Sequence, residues 1–224
     1  MNLQEKINLT RGIFERILSF ADHQRVYVAW TGGKDSTVAL SLWAHFLEEN
    51  GIDCKPAAIN LDTGLKFPEI LAYRDALAVR WEVNLNIIKP ELDVDNYPVA
   101  EDKVNCCRDL KIGPLKKAIT DLNTQALLTG IRSDEHPTRC NRDQVEQKTD
   151  PDYLQINPIL HWTEMDIWSF IVHKNLPYCT LYDQGYTSLG CMPCTRKATG
   201  DGERSGRSRE KEESLDVLRG LGYF

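Results

Sequence analysis

The chain has 224 residues, 42% of them hydrophobic, and a formal net charge of −6. That length supports one large α/β domain with at most a small appendage, and an acidic balance without an isolated Lys/Arg block argues against unaided tight binding to a nucleic-acid backbone. The polar start Met1-Asn2-Leu3-Gln4-Glu5-Lys6 lacks a signal-peptide core, and no apolar run approaches the roughly 20 residues of a membrane span.

Leu3, Ile7, Ile13, Phe14, Ile17 and Leu18 recur near helical spacing and predict a leading amphipathic helix over 3–20. A strand is predicted over about 26–30. The apolar run stops at Thr31-Gly32-Gly33-Lys34-Asp35-Ser36-Thr37, after which Val38, Leu40, Leu42, Trp43, Phe46 and Leu47 open a helix to about Asn50, with Gly51 as a stop signal. Strand, glycine turn and helix together suit a phosphate: glycine lets backbone N–H groups approach an anion, the helix start adds its dipole, Thr31, Ser36 and Thr37 add hydroxyls, and Lys34 adds charge. The Walker spacing is absent. A second strand over 56–61 ends in Asp62-Thr63-Gly64, Pro68 starts a helix to about Glu82, and 85–88 is a third strand. Residues 89–105 read as a loop or short helix, 107–122 as a helix, and 125–129 as a fourth strand ending in the polar loop Gly130–Glu135. The charged stretch 133–152 is expected to be a mobile segment over the site, followed by a short strand at 153–156. Thr163 and Asp166 form a capping box for a helix to about Lys174, and the tail from Arg196 ends in a short helix.

The βαβαβ alternation predicts a parallel twisted sheet with helices on both faces, and ligands in such sheets sit at the carboxyl ends of the strands. The expected division is a nucleotide-binding core over 1–160 with residues 161–224, carrying the Cys-x-x-Cys loop and charged tail, packed on it as one domain.

A cytoplasmic location is expected, so the seven cysteines read as metal ligands or reactive thiols rather than disulfides. Cys191-Met192-Pro193-Cys194 and the adjacent Cys106-Cys107 make two pairs. Adjacent cysteines fit poorly around one zinc and better on separate irons of a cubane, which favours a [4Fe–4S] cluster over zinc or a redox dithiol. Cys140, beside Arg139 and Arg142, is either a nucleophile of lowered pKa or an ordinary surface cysteine.

These residues resemble a known family. Thr31–Thr37 is similar to the PP-loop of the adenine-nucleotide α-hydrolase (HUP-like) fold. Leu61–Glu69, Pro158–Trp168, Leu176-Pro177-Tyr178 and Gly185–Thr195 resemble the group of phosphoadenylyl-sulfate reductases and sulfate adenylyltransferase small subunits. Cys106-Cys107 with Lys111 and Pro114-Leu115 resembles the cluster motif of the iron–sulfur adenylyl-sulfate reductases, and Gly130-Ile131-Arg132 their nucleotide-binding Gly-Leu-Arg. The reductases also share Gly202–Arg207, but then carry Glu-Cys-Gly-Leu-His, whose cysteine attacks the sulfate sulfur. Here the sequence runs Leu218-Arg219-Gly220-Leu221-Gly222-Tyr223-Phe224, with no cysteine after Cys194.

With the reductase nucleophile missing and Lys34-Asp35-Ser36 kept, the resemblance implies an ATP pyrophosphatase. It is closest in kind to those of DNA phosphorothioation (Dnd and Ssp systems), with tRNA thiolation a related reading. ATP would lie in the Gly32–Thr37 cradle, with Lys34 on the leaving pyrophosphate and Arg132 on the nucleotide (or in an ion pair). Mg²⁺ would be held by Asp35 or Asp62, unless Asp62 caps its turn. A cysteine desulfurase or other sulfur donor, and DNA-handling subunits, are the implied partners; a homodimer is open. The alternatives are a sulfonucleotide reductase using Cys140, Cys179 or a partner thiol, a sulfate adenylyltransferase small subunit, and a nucleotide-binding iron–sulfur sensor.

Overall fold

The computed structural model describes residues 1–200 and 202–223. Six strands form one sheet: β1 (Val26–Ala29), β2 (Ala57–Leu61), β3 (Asn84–Ile88), β4 (Ala126–Leu128), β5 (Val145–Thr149) and β6 (Asp152–Ile156), in the order β3-β2-β1-β4-β6-β5. All neighbours are parallel except β5 and β6. The parallel sheet with helices expected from the sequence is therefore present. Its strand order reverses between β1 and β4, so the loops after these two strands splay apart and leave a crevice there.

Burial on both faces explains the strand composition. β1 is buried throughout. Its Val26 and Val28, with Trp30 just beyond, join one core with Phe14, Trp43 and Phe46, while Tyr27 and Ala29 join another with Ile59, Leu115, Ile119 and Leu127. This is the period of two written into an otherwise uniform apolar run. The first core is built by α1 (Leu3–Leu18), α2 (Lys34–Glu49) and α6 (Glu164–His173). Phe14 meets Trp43 edge-on at 5.1 Å between centroids, and Trp43 stacks on Phe46 at 5.7 Å. α3 (Pro68–Arg80) begins at its proline, and Gly51, at φ +65°, follows the end of α2.

Two stretches depart from expectation. Residues 133–152 are not a structureless flap: Val145–Thr149 pairs antiparallel with β6, covering its outer edge. The alternating Val145, Gln147 and Thr149 are too polar to announce a strand, because an edge strand buries little. Ahead of β4, the predicted helix from Cys107 starts earlier, as α4 (Lys103–Cys107) capped by Asp102, which accepts from the N–H groups of Val104 and Asn105. A π-helical turn over Arg108–Ile112 joins α4 to α5 (Gly113–Asp121). There the Gly113 N–H reaches back five residues to the Arg108 carbonyl, and Pro114 has no N–H to offer. The carboxy-terminal residues form α7 (Arg209–Glu213) and α8 (Leu215–Gly220), which pack Leu215 and Leu218 against Cys107 and Ile112. No described helix is long and apolar enough to cross a membrane.

Candidate active site

The glycine loop sits where the sheet order reverses. Gly32 adopts φ +84°, and a Cβ there would lie 2.8 Å from Ile70. A hydroxyl network sets the loop: Ser36 Oγ accepts from Thr31 N–H (3.2 Å) and donates to the Gly33 carbonyl (3.0 Å). From the loop after β4, Gly130 backs onto the start of α2 so closely that a Cβ would be 2.6 Å from Ser36 N. Gly130 thus fits the two crevice loops together.

A cleft made of two adjoining cavities, with Ala29, Thr31, Leu189, Arg207 and Tyr223 in both linings, lies beside this point. Its near part is lined by Thr31, Gly33, Asp35, Ser36, Gly130, Glu135, Arg139 and Arg204. Its far part is lined by the apolar Ala29, Ile59, Leu61 and Leu115 and by the cationic Lys66, Lys111 and Arg207. Arg207 and Tyr223 border both parts. Of the residues assigned from sequence, Thr31, Gly33, Asp35, Ser36 and Gly130 reach the cleft.

Four others are engaged by neighbouring protein groups. Lys34 is 2% exposed, and its ammonium pairs with Glu203 and, at 3.2 Å, Asp35. Burial opposes its charge, but Asp35, Tyr182 and Glu203 more than compensate and raise its pKa. Arg132 is fully buried and holds Asp35, Glu203 and Asp134, which is the ion-pair alternative left open from the sequence. Thr37 donates to the Gly33 carbonyl and accepts from the Trp30 indole N–H, both inside the core. Asp62 accepts from the Gly64 N–H at 3.1 Å and lies 3.6 Å from Arg74, so it caps its turn. Mg²⁺ does not fit these carboxylates. Oxygens of Asp35, Glu135 and Glu203 come within 4.8 Å of one another, but Lys34, Arg132, Arg139 and Arg204 already occupy them. Together, Arg139 and Arg204 hold the Glu135 carboxyl down to about 2 against its burial.

Behind the far part, Cys106, Cys107, Cys191 and Cys194 line one small cavity with Lys111 and Lys211. The four predicted ligands are therefore brought together from α4 and from the turn after Gly190. Among the described residues no three thiols lie within 4.8 Å of one another. Burial pushes the Cys191 thiol up, but Lys111, Lys66 and a 3.3 Å contact with the Thr63 hydroxyl reverse this and bring it down to about 6. Burial raises Cys106 and lowers Lys66 to about 8. Cys140 is exposed, with its thiol on the Ser133 carbonyl, and Cys179 is 1% exposed against Ile70 and Leu181; neither lines the cleft.

A family model, the phosphoadenosine phosphosulfate reductase domain, matches residues 25–197. The chain belongs to this family. It is 33% identical over 171 residues to a phosphoadenosine 5'-phosphosulfate reductase of Gloeobacter violaceus, covering 71% of this chain and 70% of that one. It is 38% identical over 157 residues to an adenosine 5'-phosphosulfate reductase of Bacillus velezensis, covering 66% of each. The fold is shared more widely. A phosphoadenylyl-sulfate reductase from Candida auris superposes with a TM-score of 0.69 at 19% identity, over 84% of this chain and 90% of that one. An FMN adenylyltransferase from Candida glabrata, in complex with FAD and inorganic pyrophosphate, gives 0.73 at 20% identity, over 98% and 83%. The matched residues 25–197 include the glycine loop and both cysteine pairs. The cations on the cleft were not singled out individually: Lys66, Arg204 and Arg207 fall inside the motifs Leu61–Glu69 and Gly202–Arg207, and Arg139 lies in the charged stretch 133–152, but a sequence motif does not say which of its side chains lines a cavity.

Proposed function

We propose that the chain binds an adenine sulfonucleotide in this cleft and reduces it, as the adenylyl-sulfate reductases are named for doing. The observation that carries this reading is where the available positive charge lies. At the glycine loop, Lys34 and Arg132 are consumed by carboxylates. At the far end, Lys66, Lys111 and Arg207 line the cleft beside the cysteines. One phosphate on the loop's hydroxyls and a sulfate on the distal cations match that distribution. Lys111 lines both the cleft and the cysteine cavity, so it ties the reacting group to the thiol cluster.

The four cysteines fit a [4Fe–4S] cluster, which when bound would supply a fixed field and redox-active iron next to Lys111. The chain's residues would hold the sulfate in place: Lys111 and Arg207 as charge-assisted donors, with the apolar lining excluding water. A thiolate attacks the sulfur, the sulfur–oxygen bond to the phosphate breaks, AMP leaves, and a thiol-bound sulfonate forms. A second thiol then attacks the first sulfur, giving a disulfide and releasing sulfite. Since Cys179 is buried and Cys140 faces away from the cleft, both thiols come from a dithiol reductant that reaches its mouth. Supplying adenylyl sulfate with a dithiol should release sulfite and AMP in equal amounts, and supplying phosphoadenylyl sulfate should release sulfite and adenosine 3',5'-bisphosphate in equal amounts.

One observation favours a second reading, ATP-dependent sulfur transfer with a cysteine desulfurase and DNA-handling subunits: Thr31, Gly33 and Ser36 face the cleft as an anion cradle. Cleavage of ATP to AMP and pyrophosphate, without sulfite from either sulfonucleotide, would replace the reductase reading with this one.

A further inference from the structure

Glu203 stands at the centre of the buried ion network. Its carboxylate meets the Lys34 ammonium with one oxygen and the Arg132 guanidinium with the other. These cations leave the glycine loop and the loop after β4, the two walls of the crevice. The Lys34 side chain is 1% exposed, that of Arg132 fully buried and that of Glu203 8% exposed. The segment carrying Glu203 is fixed on both sides. Thr187 donates its hydroxyl to the Glu203 carbonyl at 2.6 Å, and the next residue, Arg204, pairs with Glu212 at 2.6 Å and Glu135 at 3.3 Å. A carboxylate is thus built in where two cations converge behind a phosphate loop.

We propose that Glu203 is a specificity-determining residue: by engaging Lys34 and Arg132 it denies the glycine loop to a β,γ-pyrophosphate and limits that end of the cleft to a single phosphate. This rests on the reading that the cleft takes an adenine nucleotide. A pyrophosphate entering the loop would meet Asp35, Glu135 and Glu203, whose oxygens lie within 4.8 Å of one another, and could reach the two cations only by displacing Glu203. A monophosphate needs neither cation, because Thr31 and Ser36 supply hydroxyls and the distal group finds Lys66, Lys111 and Arg207. Glu203 therefore separates sulfonucleotides from nucleoside triphosphates by repulsion of the wrong ligand rather than by added attraction to the right one.

Calorimetric titration of the full chain with AMP, ATP and inorganic pyrophosphate tests this without any turnover. The wild type should bind AMP at least as tightly as ATP and should not bind pyrophosphate at millimolar concentration. Glu203→Gln should tighten ATP by about tenfold or more and make pyrophosphate binding measurable, leaving AMP within about twofold. An unchanged ATP-to-AMP ratio in the variant overturns the proposal, as does a wild type that prefers ATP or takes up pyrophosphate. Should Glu203→Gln fail to fold, the wild-type pyrophosphate titration decides alone. Sulfite release with no discrimination among these ligands would sink this proposal and leave the reductase reading standing. Discrimination without sulfite release would do the reverse, and absence of all nucleotide binding would end both.

Discussion

Arg207 shows how much one side chain can depend on its surroundings. It borders both parts of the cleft, and burial lowers its pKa; an anion on it regains what desolvation costs. Arg207→Ala should weaken adenylyl-sulfate binding by about 10- to 100-fold, as expected for losing a charge-assisted bond worth about 1.5–3 kcal/mol. Equilibrium binding checks it, with AMP as the control ligand. Cys191 leads to a pH prediction. Its thiol falls from 9.0 when unperturbed to about 6 in the fold, so between those values the native state holds fewer protons than the unfolded chain. Its contribution to stability is complete above pH 9 and is lost as pH falls through 6. Tyr223, brought from 10.0 to about 7 by Lys111 and Lys211 against its own burial, has the same sign. In metal-free protein the urea midpoint should therefore rise from pH 6 to pH 9, and Cys191→Ser should flatten that rise; an identical slope in the variant would refute the lysine–thiolate account. Gly130 could be read from sequence as part of a nucleotide-binding triplet. Its 2.6 Å approach to Ser36 N shows that what it contributes is the absence of a side chain. Gly130→Ala should cost about 1–3 kcal/mol through displaced backbone, visible as a lowered melting temperature together with weakened AMP binding.

At the scale of elements, local signals were reliable where the physics is local. Thr163 caps α6, its hydroxyl accepting from the Asp166 N–H while the Asp166 carboxylate accepts from Thr163 and from Lys6 of α1. This box is legible in Thr163-Glu164-Met165-Asp166 because capping needs only residues three apart. Thr163→Ala should lower stability by about 1 kcal/mol, measured as a shift of the denaturation midpoint without a change of slope. The antiparallel β5 was not legible, for its strand character comes from β6 beside it. The π turn before α5 was equally hidden, although Pro114 gave a reason for irregularity. That turn carries Lys111, the residue shared by cleft and cysteine cavity.

For the whole molecule, the topology converts separate motifs into one site. The reversal of strand order beside β1 opens the crevice, and the carboxy-terminal segment supplies Cys191, Cys194, Glu203, Arg204 and Arg207 to it. Neither part forms the site alone. Anaerobically purified protein should contain about four iron and four sulfide per chain, and Cys191→Ala should abolish both with the visible absorption. Zinc in place of iron would replace the cluster assignment with a mononuclear thiolate site.

By itself the sequence determined the sheet, the phosphate loop at the end of β1 and the two cysteine pairs. Each of these is encoded by near neighbours: apolar runs, glycines at a strand–helix turn, and thiols one or three positions apart. It also placed Lys34 and Arg132 among nucleotide contacts, since their neighbourhood in the chain belongs to the loop. Only the tertiary structure decided where their charges point. Glu203 lies 169 residues from Lys34 and 71 from Arg132, and no local pattern reveals that a buried carboxylate will meet both. Long-range electrostatic pairing therefore decides which cations are tied to carboxylates, and among the described residues Lys66, Lys111 and Arg207 line the part of the cleft next to the cysteine cavity.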